Sequence, residues 1–160
     1  AALISDCNKK GRKTRRGEKL LAYIDTYRSI LEKAECSMVN FDIWAPNIMC
    51  TREADKIKYA WIDPERSFWG DRIADFVCFE MFTPLDKKEK SLAAYNEAAD
   101  KPVAASHDEN IRYAVALGYL GLIMEVEKYY RYTPANFGWW RNVFAVAGLY
   151  KQSFGILKNG

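Results

Sequence analysis

The chain has 160 residues, of which 49% are hydrophobic and 28% charged, with a net charge of +3. This composition excludes a disordered chain and supplies the core of one ordinary domain. Outside one basic run the charge is near neutral, which argues against a dedicated nucleic-acid binder. No stretch reaches the roughly 18 uninterrupted apolar residues of a membrane span.

The basic run comes first. Lys9, Lys10, Arg12, Lys13, Arg15 and Arg16 enclose Gly11 and Gly17, so residues 1–17 read as a basic linker or loop, with a phosphate contact as the sharper alternative. Residues 18–160 read as a helical lobe. Leu20, Leu21, Ile24, Tyr27, Ile30 and Leu31 recur at helical spacing and predict one helix of about four turns. Ser37–Val39 is extended. Asn47–Cys50 and Ile57–Ile62 predict two strands joined by the polar turn Thr51–Lys56. Pro64 biases Asp63 towards an extended backbone.

From Asp71 onward the pattern is helical. Asp71 is placed to cap a helix holding Ile73, Phe76 and Val77. Leu85–Ala99 is a polar helix, Asp108 starts a long one, and Trp139–Leu157 is a last apolar segment. One helix, a small hairpin and four further helices make an α+β chain that is mostly helical. Cys7, Cys36, Cys50 and Cys78 show no metal-binding spacing, and the only histidine is His107. The N-terminus shows no secretory pattern, so the four thiols read as reduced in a cytoplasmic protein.

The informative segment is Asn40-Phe41-Asp42-Ile43-Trp44-Ala45-Pro46-Asn47-Ile48-Met49. Asp42 and Asn47 are five residues apart, and a second acid, Asp63, comes at the end of the expected hairpin. Phosphoryl transfer requires a carboxylate to orient and deprotonate the attacking hydroxyl, and oxygen ligands to hold Mg²⁺ against the phosphates. Protein kinases meet these needs with an Asp, an Asn five residues later, and an Asp after the following hairpin.

The segment resembles the family of aminoglycoside phosphotransferases, choline and ethanolamine kinases, fructosamine kinases and homoserine kinases of the same fold. That family's catalytic loop, H-G-D followed by a variable stretch and N-I-L or N-I-M, is similar to residues 40–49. Its I-D-W-E or I-D-P-E metal segment is matched by Ile62-Asp63-Pro64-Glu65, and its G-D-P-x-x-D-L pattern by Gly70-Asp71-Arg72-Ile73-Ala74-Asp75-Phe76. The three blocks span about Val39–Glu80. The departures are Asn40 and Phe41 in place of the usual His and Gly.

The resemblance implies the C-terminal lobe of a protein-kinase-like phosphotransferase, with a catalytic loop at 40–47 and a metal loop at 62–65. It implies ATP and Mg²⁺ as cofactors and a small-molecule hydroxyl as substrate. Asp42 is the expected base, Asn47 and Asp63 the metal and nucleotide ligands, and Asn40, Asp71 and Asp75 the supports of the site. A catalytically weak binding or regulatory lobe is the alternative. Only about forty residues precede Asp42, and they lack a G-x-G-x-x-G hairpin, so the nucleotide-clamping N-terminal lobe is expected to be missing and the isolated chain inactive. No nucleic acid or membrane partner is expected, and the identity of the substrate is not legible.

Overall fold

The computed structural model describes residues Ala1–Gly160. Its helices are α1 (Ala2–Lys9), α2 (Arg15–Thr26), α3 (Arg28–Leu31), α4 (Glu89–Ala98), α5 (His107–Arg131) and α6 (Phe137–Asn159). Its strands are β1 (Cys36–Val39), β2 (Ile48–Glu53), β3 (Lys56–Trp61) and β4 (Phe68–Asp71), with 3-10 turns at Ala45–Asn47, Pro64–Arg66, Arg72–Val77 and Leu85–Lys87. The chain is α+β and mainly helical. It divides into two compact units, Ala1–Lys33 with Ala105–Gly160, and Ala34–Ala104.

The first unit is helical. Leu20, Ile111, Ala114 and Leu157 form one core cluster; Ile4, Leu122, Val146 and Tyr150 form another. α5 starts where Ser106 and Glu109 bond each other's backbone N–H, the reciprocal cap that satisfies two otherwise orphaned donors. The Ser153 hydroxyl donates to the Ala114 carbonyl at 2.7 Å and ties α6 to α5. Gly118 admits α2: a Cβ there would stand 2.6 Å from Leu20 Cδ1. No helix is long and apolar enough to cross a membrane.

Two expectations change in this unit. Residues 1–17 are not a linker or loop. α1 buries Ile4 and Cys7, three residues apart on one face, and α2 begins at Arg15. The basic run hides that short apolar stripe, and its Arg12 guanidinium lies 4.9 Å from the rings of both Tyr129 and Tyr130, a cation–π arrangement instead of bulk solvation. The predicted single helix through Leu31 breaks at Tyr27, just after Thr26, whose hydroxyl bonds back to the Ala22 carbonyl and competes with the ladder.

The second unit holds two antiparallel strand pairs, β1–β4 and β2–β3. In the β2–β3 hairpin Ile48 faces Trp61 and Glu53 faces Lys56, so only Ala54 and Asp55 form the turn. The longer turn expected from the sequence rests on polar residues, but Thr51–Glu53 are strand residues exposed on both faces of the pair, where polarity is permitted.

The sequence does not predict β4. It is four residues long, and its partner β1 lies far upstream, pairing Val39 with Phe68 and Cys36 with Asp71. The Asp71 side chain accepts from Ile73 N as expected of a cap, and the segment it caps is a 3-10 helix buried at Ile73, Ala74, Phe76 and Val77. Three α-helices and this turn therefore come after the hairpin. α4 begins at Glu89 because Lys88 is fully buried ahead of it, its ammonium donating to the carbonyls of Phe79 and Glu80.

Candidate active site

β1 ends at Val39, and the next residues are held by one carboxylate. Asp75 Oδ1 accepts from the backbone N–H of both Asn40 and Phe41, each at 2.9 Å. Burial raises the Asp75 pKa above its ordinary 3.8, and the two donors oppose that rise. Asn40 Oδ1 accepts from Asp42 N at 3.1 Å, a local turn that only a short polar side chain makes. Asn40 thus bonds the loop directly.

Phe41 takes the opposite route. Its φ is +60°, a left-handed conformation that costs a non-glycine residue about 1–2 kcal/mol. Its ring is 1% exposed and meets Phe68 edge-on at 5.3 Å. Burying a side chain of that size is worth about 1.5–3 kcal/mol, so packing exceeds the strain. The Cys78 thiol donates to the Phe41 carbonyl at 3.4 Å. Burial pushes its pKa to about 12, with Asp42 adding to the effect, so it is no nucleophile.

These braces position Asp42. Its Oδ2 accepts from Asn47 Nδ2 at 3.1 Å, and its carbonyl accepts from the same nitrogen at 3.1 Å. Its Oδ1 pairs with Arg66 Nη1 at 3.3 Å, with both side chains about one-sixth exposed. Each carboxylate oxygen has two acceptor sites, so capacity remains for a substrate hydroxyl. Sequence reasoning misses Arg66 as a partner of Asp42, because the acid beside it in the chain is Glu65. The available signal is its place in the turn that starts at Pro64, three residues beyond Asp63.

Asn47 and Asp63 share the open end of the hairpin. Ile62 N donates to the Asn47 carbonyl at 2.9 Å, and Asp63 is the next residue. Asp63 is exposed, with φ 60° and ψ 58°, left-handed where Pro64 predicts an extended backbone. Proline excludes the right-handed region for its predecessor, and an aspartate tolerates the left-handed one.

The donors fit Mg²⁺ in kind. The Asn47 amide nitrogen is committed to Asp42, which leaves its oxygen, and the Asp63 carboxylate is a second hard donor. No group of three or more His, Cys, Asp or Glu that could hold a metal occurs. A two-donor set of this kind suits a hydrated ion shared with phosphate oxygens, not an all-protein cage.

Beside the loop that carries Asp42 lies a cleft of about 560 Å³. Ile43, the residue after Asp42, is part of its wall, with Trp61, Phe76, Phe79 and Tyr95. Comparisons with protein-family models, with curated proteins and with solved structures found no match.

Proposed function

We propose that the Ala34–Ala104 unit is the catalytic and metal-binding part of a cytoplasmic, ATP-dependent phosphotransferase of the aminoglycoside phosphotransferase and choline kinase type, acting on a small-molecule hydroxyl. The observation that carries this reading is the Asp42 carboxylate, bonded by Asn47 on a loop pinned by Asp75, with Asp63 at the same hairpin end. The four free cysteines agree with a reducing compartment.

Asp42 accepts the hydroxyl proton as the substrate oxygen bonds to the γ-phosphorus and the bond to the β-phosphate oxygen breaks, leaving ADP. Asn47 holds Asp42 in place with its nitrogen and offers its oxygen, with Asp63, to the metal. Mg²⁺ held there by Asn47 and Asp63 would neutralise charge developing on the phosphate oxygens. Asp75, Asn40 and the Phe41 ring supply the positioning on which such catalysis depends. The residues before β1 are helical and provide no phosphate-covering strands, so the clamp on the other side of the nucleotide belongs to another lobe.

The test is steady-state kinetics of the full-length gene product. Asp42→Asn is expected to lower kcat by about 10²–10⁴-fold with little change in the KM for Mg-ATP. Asp63→Asn is expected to raise that KM as well. Equal, mild losses in both variants refute the assignment. A weak binding or regulatory lobe is the second reading, favoured by the Arg66 cation already paired with Asp42. It predicts nucleotide binding without Asp42-dependent turnover.

A further inference from the structure

We infer that the cleft beside Asp42 selects an acceptor alcohol with a flat apolar ring and a neutral or anionic substituent, and rejects polycations; this rests on the phosphotransferase reading and names its substrate class.

The cleft's volume of about 560 Å³ lies within the roughly 300–1,000 Å³ of small-molecule sites. Its walls come from four places in the chain: Ile43 from the catalytic loop, Trp61 from the end of β3, Phe76 and Phe79 from and after the 3-10 helix, and Tyr95 from α4. Tyr95 meets Phe76 edge-on at 5.2 Å, which fixes the angle of one ring. Ala94 lies beside them and leaves space where a larger residue would fill it.

The polar groups decide the charge of the guest. Asp75 lines the cleft, but its Oδ1 already holds two backbone N–H groups, and burial opposes its ionisation. The Ser91 hydroxyl donates to Glu80 Oε1 at 2.9 Å. Lys90, exposed in the first turn of α4, is the cation among the lining residues. An aminoglycoside would meet that ammonium, and the one carboxylate lining the cleft already holds two backbone N–H groups. A trimethylammonium group suits aromatic rings, but it would occupy a small part of the volume and would still face Lys90. A ring inserted edge-on or offset against Phe76 and Tyr95, with a carboxylate or neutral group towards Lys90, uses both features.

The test is calorimetric titration of the 160-residue chain, without nucleotide, with phenyllactate, phenylethanol, choline and kanamycin. Phenyllactate is expected to bind most tightly and phenylethanol next. Ala94→Trp, at an exposed helix position, is expected to weaken both by about tenfold or more by filling the cleft. Circular dichroism checks that this variant folds. Lys90→Glu is expected to remove the advantage of phenyllactate over phenylethanol. The inference is overturned if choline or kanamycin binds as tightly as phenyllactate, if neither aromatic alcohol binds, or if Ala94→Trp binds like the parent. Ring binding in a protein without Asp42-dependent transfer would defeat the phosphotransferase reading and keep the cleft. Transfer to choline or kanamycin without ring binding would do the reverse.

Discussion

In the helical unit Leu117, Leu120, Leu149 and Tyr150 are at most 2% exposed, whereas in the β-containing unit Met49, Ile57, Tyr59 and Trp61 are each at least 50% exposed. The strand register makes the second pattern orderly: Ile57, Tyr59 and Trp61 alternate along β3 and share a face with Ile48 and Cys50 across the pair. Strain is divided in the same way. Of the six non-glycine residues with positive φ, Phe41, Ala54, Asp63, Glu80 and Phe82 lie in the β-containing unit and Ala105 in the other. One unit is held by packed apolar surface. The other also buries Val39, Ile73, Val77 and Leu85, and adds polar braces at Asp75, Asn40 and Lys88 around its strained positions.

Substitutions sharpen this contrast, beginning with the largest effect. Leu117→Ala, at a residue with no exposure, should destabilise the chain by about 2–5 kcal/mol in urea titration, through lost transfer energy and a cavity. A smaller loss would mean that the α5–α6 core repacks freely. Asp75→Ala leaves the Asn40 and Phe41 N–H groups without their acceptor and should cost about 1–3 kcal/mol. Its larger signature is functional: kcat should fall together with stability, whereas Leu117→Ala should leave kcat unchanged while the chain is folded. Equal kcat in the two variants would erase the distinction between the units.

The third effect is a pH slope. Burial lowers the Lys88 pKa from 10.5 to about 8. Between those values the unfolded chain binds a proton that the folded chain has released, so the Lys88 contribution to stability rises with pH from about 8 to 10.5. Lys88→Met should remove that rise from denaturation midpoints measured across the interval; an unchanged slope would show that the ammonium is not desolvated. The smallest effect is expected at the open hairpin face. Tyr59→Thr, at a residue 64% exposed, should change stability by no more than about 0.5 kcal/mol.

Local regularities are legible in the sequence and distant pairings are not. The long helix α5 can be read because its apolar residues repeat over about seven turns behind a clear polar start, although the cap is Ser106 instead of Asp108. The hairpin can be read because β-branched and aromatic residues flank a polar turn. β4 cannot, since four residues carry no period and the partner strand is remote. In the site, the closeness of Asp42 to Asn47 is expected from their spacing. The Arg66–Asp42 pair and the carbonyl partners of the buried Lys88 are not, because each depends on how separate loops fold back. The basic run misleads for a related reason: charge is visible in a sequence, whereas the tyrosines stacked on Arg12 come from more than a hundred residues downstream.

Gly70 lies beneath this site without touching its chemistry. A Cβ there would fall 2.4 Å from the Phe68 ring, so the glycine is the seat in which that ring rests, and the ring in turn backs Phe41. Burial of its ring offsets the left-handed backbone of Phe41, beside the Asp75 bond to its N–H. The aim of Asp42 therefore depends in part on an aromatic contact resting on a single hydrogen atom. On the phosphotransferase reading, heat that loosens this ring contact should therefore misdirect the carboxylate first, and activity should be lost below the temperature at which the helical cores melt.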